Sequence, residues 1–442
     1  MAYVLIGTPF VLLWLLIRNK MNRIILVGKG FDLAHGLETK YEHFINWYWD
    51  RWGMLLRSCG GKRISDGLCS FVLKDEVGLA GWYLVPSFHY SIYPRNISNR
   101  EFLEAVKNDD KVCDYKMHSA FLAKICNSIE AKGWVDIEAD YYTLLVECIE
   151  KKVELARLNN DFAIIQDLLI EYLNEIQKEQ IDGNIFCDNI REAMLSPFSI
   201  NEIAVSSEKK WWDFVEKRSR ESIIFWKSFL LGYLRPDLLR KIGSVRCVYG
   251  RFNEVDFDSS EYLRKEDFPE EYLLPERIML VNFNYTRIAD IYMPNNSRFI
   301  VNHIHGELSN PESVIFGYGD ETDDEYKAIV KQNDNEYLKH IKTNRYLEDD
   351  KYRQLLSFIN SAPFQVCIMG HSCGLSDKTM LKTLFEHDNC VSIKPYYYVN
   401  KEGKDNYLDM VQNISRNFTN PQLMRDKVVN KTLCEPMPQL NK

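Results

Sequence analysis

The chain has 442 residues, 46% of them hydrophobic and 27% charged, with a formal net charge of −8. That is globular composition with material for a sizeable core, and length for two or three structural units. The negative balance removes the electrostatic case for nucleic acid as the main ligand. Eleven scattered cysteines with no C-x-x-C pair argue against a zinc ribbon or a disulfide framework and for a reducing cytoplasm.

Residues 2–17 are almost wholly apolar and are followed by Arg18-Asn19-Lys20. Three readings compete. A membrane anchor would span with fewer than the roughly 20 residues usually needed, and Pro9 interrupts it. A signal peptide lacks the charged start and the small-residue cleavage site. The third reading, which we adopt, takes 1–20 as an upstream extension, with translation starting at Met21. Cytoplasmic localisation is expected, with inner-membrane anchoring through residues 2–17 as the alternative.

The next stretch, MNRIILVGKGFDLAHGLETKYEHF (21–44), is the most informative. A short aliphatic run breaks at Gly28-Lys29-Gly30 and leads into helical sequence. A strand, a Gly-x-Gly turn and a helix bring backbone N–H groups up to a phosphate, because glycine holds no Cβ against the ligand. The same turn also serves plain chain reversal, and the motif alone does not decide between the two.

From 51 to about 98 the sequence reads as irregular, and from 99 to about 178 as helical. Val146, Ile149, Val153 and Ala156 keep a three-and-four spacing. A further amphipathic stretch covers 208–234, where Trp211, Trp212, Phe214, Ile223, Phe225 and Trp226 read as helix core. Beyond 270 the texture returns to strands, expected at 278–283, 299–304, 314–316, 366–369 and 391–399. Several are continuous apolar runs, as buried parallel strands are. The last dozen residues are expected to fray or to lie along the surface.

This pattern predicts an α/β fold: one doubly wound, mostly parallel, Rossmann-like sheet interrupted by a large α-helical insertion. The expected divisions are 1–20 as extension, 21–50 with 270–420 as the nucleotide-binding domain, 51–269 as the insertion, and 421–442 as the tail.

Four polar constellations follow expected strand ends, where open α/β sheets collect ligands. They are Gly28 to Gly30 with Asp32, His35 and Gly36; Asn282 to Thr286; His303 to Gly306; and Gly370-His371-Ser372 with Asp377. Each has a structural alternative: an Asn turn, a satisfied imidazole, or a helix start capped by Ser372 or Ser376. Together, in this order, they would converge on one crevice of a parallel sheet.

The order and wording of these segments resemble a known family. GKGFDLAHGLETKYEHF, FNYT, HIHGEL, IFGYGDE and GHSCGLSDKTML are similar to the motifs of the AbiH family of bacteriophage abortive-infection proteins. Trp134-Val135-Asp136-Ile137-Glu138 is likewise similar to an AbiH feature, so the resemblance covers roughly residues 21–435. More distantly, the four motifs resemble the sirtuin-like NAD-binding fold, whose defence-system members hydrolyse NAD.

That second resemblance implies NAD as substrate or ligand; separately, no metal is expected. Gly28, Gly30 and Gly36 match its glycine loop, Asn284 the catalytic Asn, His305 the catalytic His, and Gly370 with Ser372 the late loop. Lys29 stands where a small residue is usual, Asp32 replaces a serine, and Thr286 replaces an aspartate. The zinc-binding cysteines of true sirtuins are absent, so deacetylation is not expected.

On that reading Asn284 orients a water or a ribose hydroxyl, and His305 accepts a proton. Gly28, Lys29, Gly30, Asp32, Gly36, Gly370, Ser372 and Asp377 are the candidate cofactor-binding residues. Asp377 either meets an adenosine ribose or caps a helix. Asp136 and Glu138, at i and i+2, do not share a helix face. A structural role, or a contact from the insertion to the site, is expected of them.

The expected function is a phage-defence effector that binds NAD or a related nucleotide and hydrolyses it. A nucleotide sensor without turnover and a scaffold remain the alternatives. A nucleotide and a phage-derived trigger are the expected partners; a homo-oligomer is allowed, and direct nucleic-acid binding is not expected.

Overall fold

A computed structural model describes residues 21–58, 63–74, 97–110, 113–133, 135–180, 185–210 and 274–440. The extension 1–20, Trp134 and the helix core expected from Trp211 to Trp226 lie outside the described residues. Among the described residues, no helix is long and apolar enough to cross a membrane.

The chain opens with strand β1 (Asn22–Val27), helix α1 (Lys29–Ala34) and helix α2 (Tyr41–Ser58). A small antiparallel sheet follows, of β2 (Arg63–Ser65), β3 (Cys69–Leu73) and β4 (Cys113–Met117), with α3 (Asn99–Lys107) set between β3 and β4 in the chain. Helices α4 (Ala120–Lys132), α5 (Ile137–Ile149), α6 (Leu155–Gln180) and α7 (Asp188–Leu195) complete the described part of the insertion. The chain then returns to the main sheet with β5 (Ile278–Asn282) and β6 (Phe299–His303). Next come α8 (Asp324–Val330), α9 (Lys342–Arg345), α10 (Lys351–Ser361), β7 (Phe364–Met369), α11 (Lys378–Phe385) and β8 (Cys390–Tyr396). Helices α12 (Tyr407–Ser415) and α13 (Pro421–Lys427) end it.

The main sheet has five strands in the order β6-β5-β1-β7-β8, and every adjacent pair is parallel. The chain first builds to one side of β1 and then crosses to the other, so the order reverses between β1 and β7. Alternation along β1 divides the core. Ile25 and Val27 face a cluster with Phe31, Trp49, Tyr141 and Phe162 from the N-terminal helices. Ile24 and Leu26 face Leu355, Phe358, Leu381, Leu384 and Ile414 from α10, α11 and α12. The three inner strands β1, β5 and β7 therefore bury both faces, which is why they read as largely apolar runs.

Several expectations are corrected. The helix α2 continues to Ser58, and the insertion carries a three-stranded sheet that its helical texture concealed. The spacing of Val146, Ile149, Val153 and Ala156 crosses a turn: α5 ends at Ile149 and Lys151 takes φ 58°. Residues 314–316 are buried but form no strand; Ile315 N–H donates to His305 O instead. Of the two expectations for the tail, the described residues 431–440 fit the second: they lie along the surface, mostly exposed or half-buried, held by contacts to the sheet and to α1. Val428 and Pro436 form parallel bridges with Ile393 and Tyr397, and Leu440 N–H donates to Ala34 O. These contacts give the outer edge of β8 partners along part of its length.

Near the amino end of β1, the fully buried Arg23 donates to Met194 O, Ser196 O and Gln365 Oε1. Gln365 and Lys394 in turn hold Glu202, fixing that part of the insertion against the sheet.

Candidate functional site

The site forms at the carboxyl ends of β1, β5, β6 and β7. The loop after β1 meets the loop after β7 in backbone contact, with Gly30 N–H donating to Gly370 O at 2.8 Å. A Cβ on Gly28 would lie 2.7 Å from His371 Cα, and one on Gly30 would lie 2.8 Å from Gly370 O. Gly370 has φ 78°, a conformation that favours glycine. The Gly-x-Gly pattern thus has a packing reason in this chain: two loops cross where strand order reverses, with no space for side chains between them.

The turn after β5 is built by Asn282. Its Oδ1 accepts from Asn284 N–H at 2.9 Å and its Nδ2 donates to Thr286 O at 2.9 Å, a side-chain-closed turn of the kind Asn favours. This turn aims two side chains at α1. Asn284 Nδ2 donates to Gly28 O and to Asp32 Oδ1, both at 2.9 Å, and Thr286 Oγ1 donates to Asp32 Oδ2 at 2.8 Å. Burial pushes the Asp32 carboxyl up to about 7, against the hydrogen bonds from Thr286 and Asn284.

Beside them, the Lys29 ammonium lies 2.8 Å from the centre of the Tyr41 ring. Burial lowers its pKa to about 8, while Glu138 and Asp136 work in the opposite direction. Lys29, Asp32, Thr39, Tyr41, Asn284 and Thr286 line a cleft of about 310 Å³ including its open mouth. Most of that is open solvent: the enclosed space is about 20 Å³, far below the roughly 300–1,000 Å³ usual for ligand sites.

Adjoining this cleft is a second, more strongly charged group. Lys342 is wholly buried, with Nζ 2.8 Å from Asp377 Oδ1 and 3.0 Å from Glu138 Oε1. His305 Nε2 lies 3.2 Å from both Asp377 Oδ1 and Tyr346 Oη. His371 Nδ1 accepts from Cys373 N–H at 3.0 Å, so the hydrogen of that ring sits on Nε2, 3.5 Å from Asp377 Oδ2. Phe283 ties the two histidines together, with ring centres 5.1 Å from His305 and 4.1 Å from His371.

Burial opposes charge on Asp377, Lys342, His305 and Glu138, and the pairings decide which of them keep it. Against burial, Lys342 and His305 hold Asp377 well below the ordinary carboxylate range. Asp377 and Glu138 in turn keep Lys342 protonated, above its usual value. Burial, with the Lys342 charge added, lowers His305 to about 4 and leaves a neutral imidazole at neutral pH. Glu138 is different: burial raises it to about 7, only partly offset by Lys342. Among the described residues no group of three His, Cys, Asp or Glu side chains is arranged to hold a metal ion.

The structure therefore brings Gly28, Lys29, Gly30, Asp32, Asn284, His305, Gly370 and Asp377 to one edge of the sheet. Asp377 stands at the N-cap position of α11 but makes no side-chain capping hydrogen bond there; its carboxylate turns to Lys342 instead. Gly36, at φ 81°, closes the turn after α1. Ser372 is exposed, and its carbonyl accepts from Asn413. His35 is occupied in the core by Phe31 O and Tyr292 Oη.

Sequence reasoning missed Lys342 and Tyr346, which lie in a polar stretch with the look of surface. It gave Glu138 the right neighbourhood without its partner. Asp136 caps α5, accepting from Ala139 N–H at 3.1 Å, and this places Glu138 in the first turn against Lys342.

No curated protein and no solved structure matches the chain. A family model described as bacteriophage abortive infection AbiH matches residues 24–398. The match runs from β1 through β8, takes in every loop of the site and the insertion that supplies Glu138, and covers well over half the chain. On that match, the chain belongs to the bacteriophage abortive infection AbiH family.

Proposed function

We propose that this AbiH chain is an abortive-infection effector that binds NAD or a related nucleotide and hydrolyses the bond between nicotinamide and ribose. One observation carries the reading. Asn284, from the turn after β5, donates to Gly28 O at the end of β1, while its neighbour Phe283 packs on His305 after β6 and on His371 after β7. Loops from four parallel strands thus meet at the point where strand order reverses, the place where doubly wound sheets take nucleotides. The order of the five strands, third-second-first-fourth-fifth along the chain, supports a Rossmann-like description of the sheet. In this reading Asn284 and His305 contact the ribose and its water, Lys29 meets a phosphate, and the Asp377–Lys342 pair fixes the imidazole.

A second reading, a nucleotide sensor without turnover, is favoured by the satisfaction of the site. Both amide hydrogens of Asn284 are used within the protein, and the cleft is small. Binding would then act through the Glu138–Lys342 contact on the helical insertion.

Incubation of the purified full-length chain with NAD and a panel of nucleotides separates the two. Nicotinamide release, abolished by Asn284→Ala and by His305→Ala in folded protein, is the expected result. Tight binding with no release assigns the sensor, and neither binding nor release overturns both readings.

A further inference from the structure

The proton chemistry of the site rests on which group can take a proton from water, and the resemblance assigned this to His305. The geometry gives His305 another task. Its Nε2 is shared between Asp377 and Tyr346, inside the field of the buried Lys342 ammonium. Asp377 is likewise committed, to Lys342, His305 and His371.

Glu138 is the remaining carboxylate of this group. One of its oxygens, Oε1, meets Lys342 at 3.0 Å and accepts from Gly317 N–H at 3.4 Å. Among the described residues, its other oxygen carries no hydrogen bond, and 10% of the side chain stays exposed. Glu138 also sits within electrostatic reach of Lys29, Tyr41 and Tyr285, all of which line the cleft.

We propose that Glu138, contributed by the helical insertion, and not His305, is the proton acceptor for the attacking water. This rests on the hydrolytic reading above. In the step, the C1′–N bond to nicotinamide breaks, and its electron pair neutralises the pyridinium nitrogen. A water oxygen bonds to C1′, and one water proton passes to Glu138 Oε2 and from there to solvent. No general acid is needed, because the leaving nicotinamide is neutral. His305, Asp377 and Lys342 position Glu138 and the ribose.

The charges facing Glu138 are Lys342 from α9, Asp377 from the loop before α11, Lys29 from α1, and Asp136 from its own turn. Their balance, with burial, holds the Glu138 carboxyl near neutrality. A base poised close to the working pH is the efficient arrangement for general base catalysis.

The test uses full-length protein, NAD and nicotinamide release across pH 5.5–9. Expected are an acidic limb in kcat near pH 7 for the wild type, and a loss of about 100-fold or more in kcat for Glu138→Gln with KM little changed. The acidic limb should vanish in that variant. Sodium formate should restore turnover to Glu138→Ala, which a merely structural role for Glu138 would not allow. If Glu138→Gln loses its cooperative melt, Glu138→Asp takes its place, with lowered kcat and the acidic limb retained as the expected result. Wild-type kcat in Glu138→Gln, or no formate rescue, overturns the assignment and leaves hydrolysis standing. A wild type that releases no base from NAD overturns the hydrolytic reading and this assignment with it.

Discussion

Lys342 Nζ lies 2.8 Å from Asp377 Oδ1, and the lysine side chain is wholly withdrawn from solvent. The pair joins α9 to the loop before α11, and Glu138 joins the insertion to both through the same ammonium. One buried cation therefore stands between two carboxylates that come from different parts of the chain. Removing it leaves Glu138 without its counter-ion and Asp377 with only the imidazoles of His305 and His371, and a buried charge that loses its ion partner is strongly destabilising.

Lys342→Met should accordingly cost about 3–5 kcal/mol at pH 8. Urea unfolding followed by tryptophan fluorescence measures it. At pH 5 the loss should shrink, because Glu138, raised to about 7 by burial, is then protonated and only Asp377 is stranded. Adding Glu138→Gln to Lys342→Met should recover part of the loss at pH 8. A single variant as stable as wild type would mean that this pairing does not hold the insertion on the sheet.

Asp32 gives a pH dependence with a definite sign. Its carboxyl is raised from 3.8 to about 7 in the folded protein, chiefly by burial. The folded state therefore holds the proton more tightly than the unfolded chain. The stability contributed by the group is fully present below about pH 4 and is lost as the pH rises through about 7. Asp32→Asn removes this term. Between pH 5 and 8, wild-type stability should fall relative to the variant by up to about 1.4 kcal/mol per pH unit until the folded group ionises. Parallel stability curves for the two proteins would show that Asp32 titrates in the folded state as it does in a peptide.

Much of the sheet edge was legible because burial on both faces makes parallel strands read as apolar runs, each broken by a polar loop. That is how 24–27, 278–283, 299–304 and 366–369 came to flank Gly28, Asn284, His305 and Gly370 in one expected crevice. The central cation was not legible. Lys342 stands among His340, Thr343, Asn344 and Arg345, and nothing local marks it as buried. Its burial is set by contacts distant in sequence. Tyr318 and Ile341 form a parallel bridge, Lys342 N–H donates to Tyr318 O, and Asp377 arrives from the far side of β7. Glu138 was expected to brace its own turn or reach the site, but its tie to Lys342 was not legible, since a glutamate in the first turn of a helix reads as a partner of the helix dipole.

The crossing of the loops after β1 and β7 can be tested with two glycines that share a backbone conformation. Gly370 has φ 78° and Gly403 has φ 80°. A Cβ at Gly403 would meet nothing within 4 Å, whereas one at Gly370 would lie 2.1 Å from Phe31 N. Gly403→Ala therefore carries only the left-handed penalty, about 1–2 kcal/mol. Gly370→Ala adds a clash with backbone that cannot rotate away, so one of the two loops must move. That displacement should break the hydrogen bond from Gly30 N–H to Gly370 O and shift Lys29 and Asp32, which line the cleft. Thermal unfolding should show Gly370→Ala costing at least about 3 kcal/mol, the range of backbone-strain substitutions. Equal losses for the two variants would mean that the loops have room between them, and that the glycines after β1 are free to approach a ligand instead of each other.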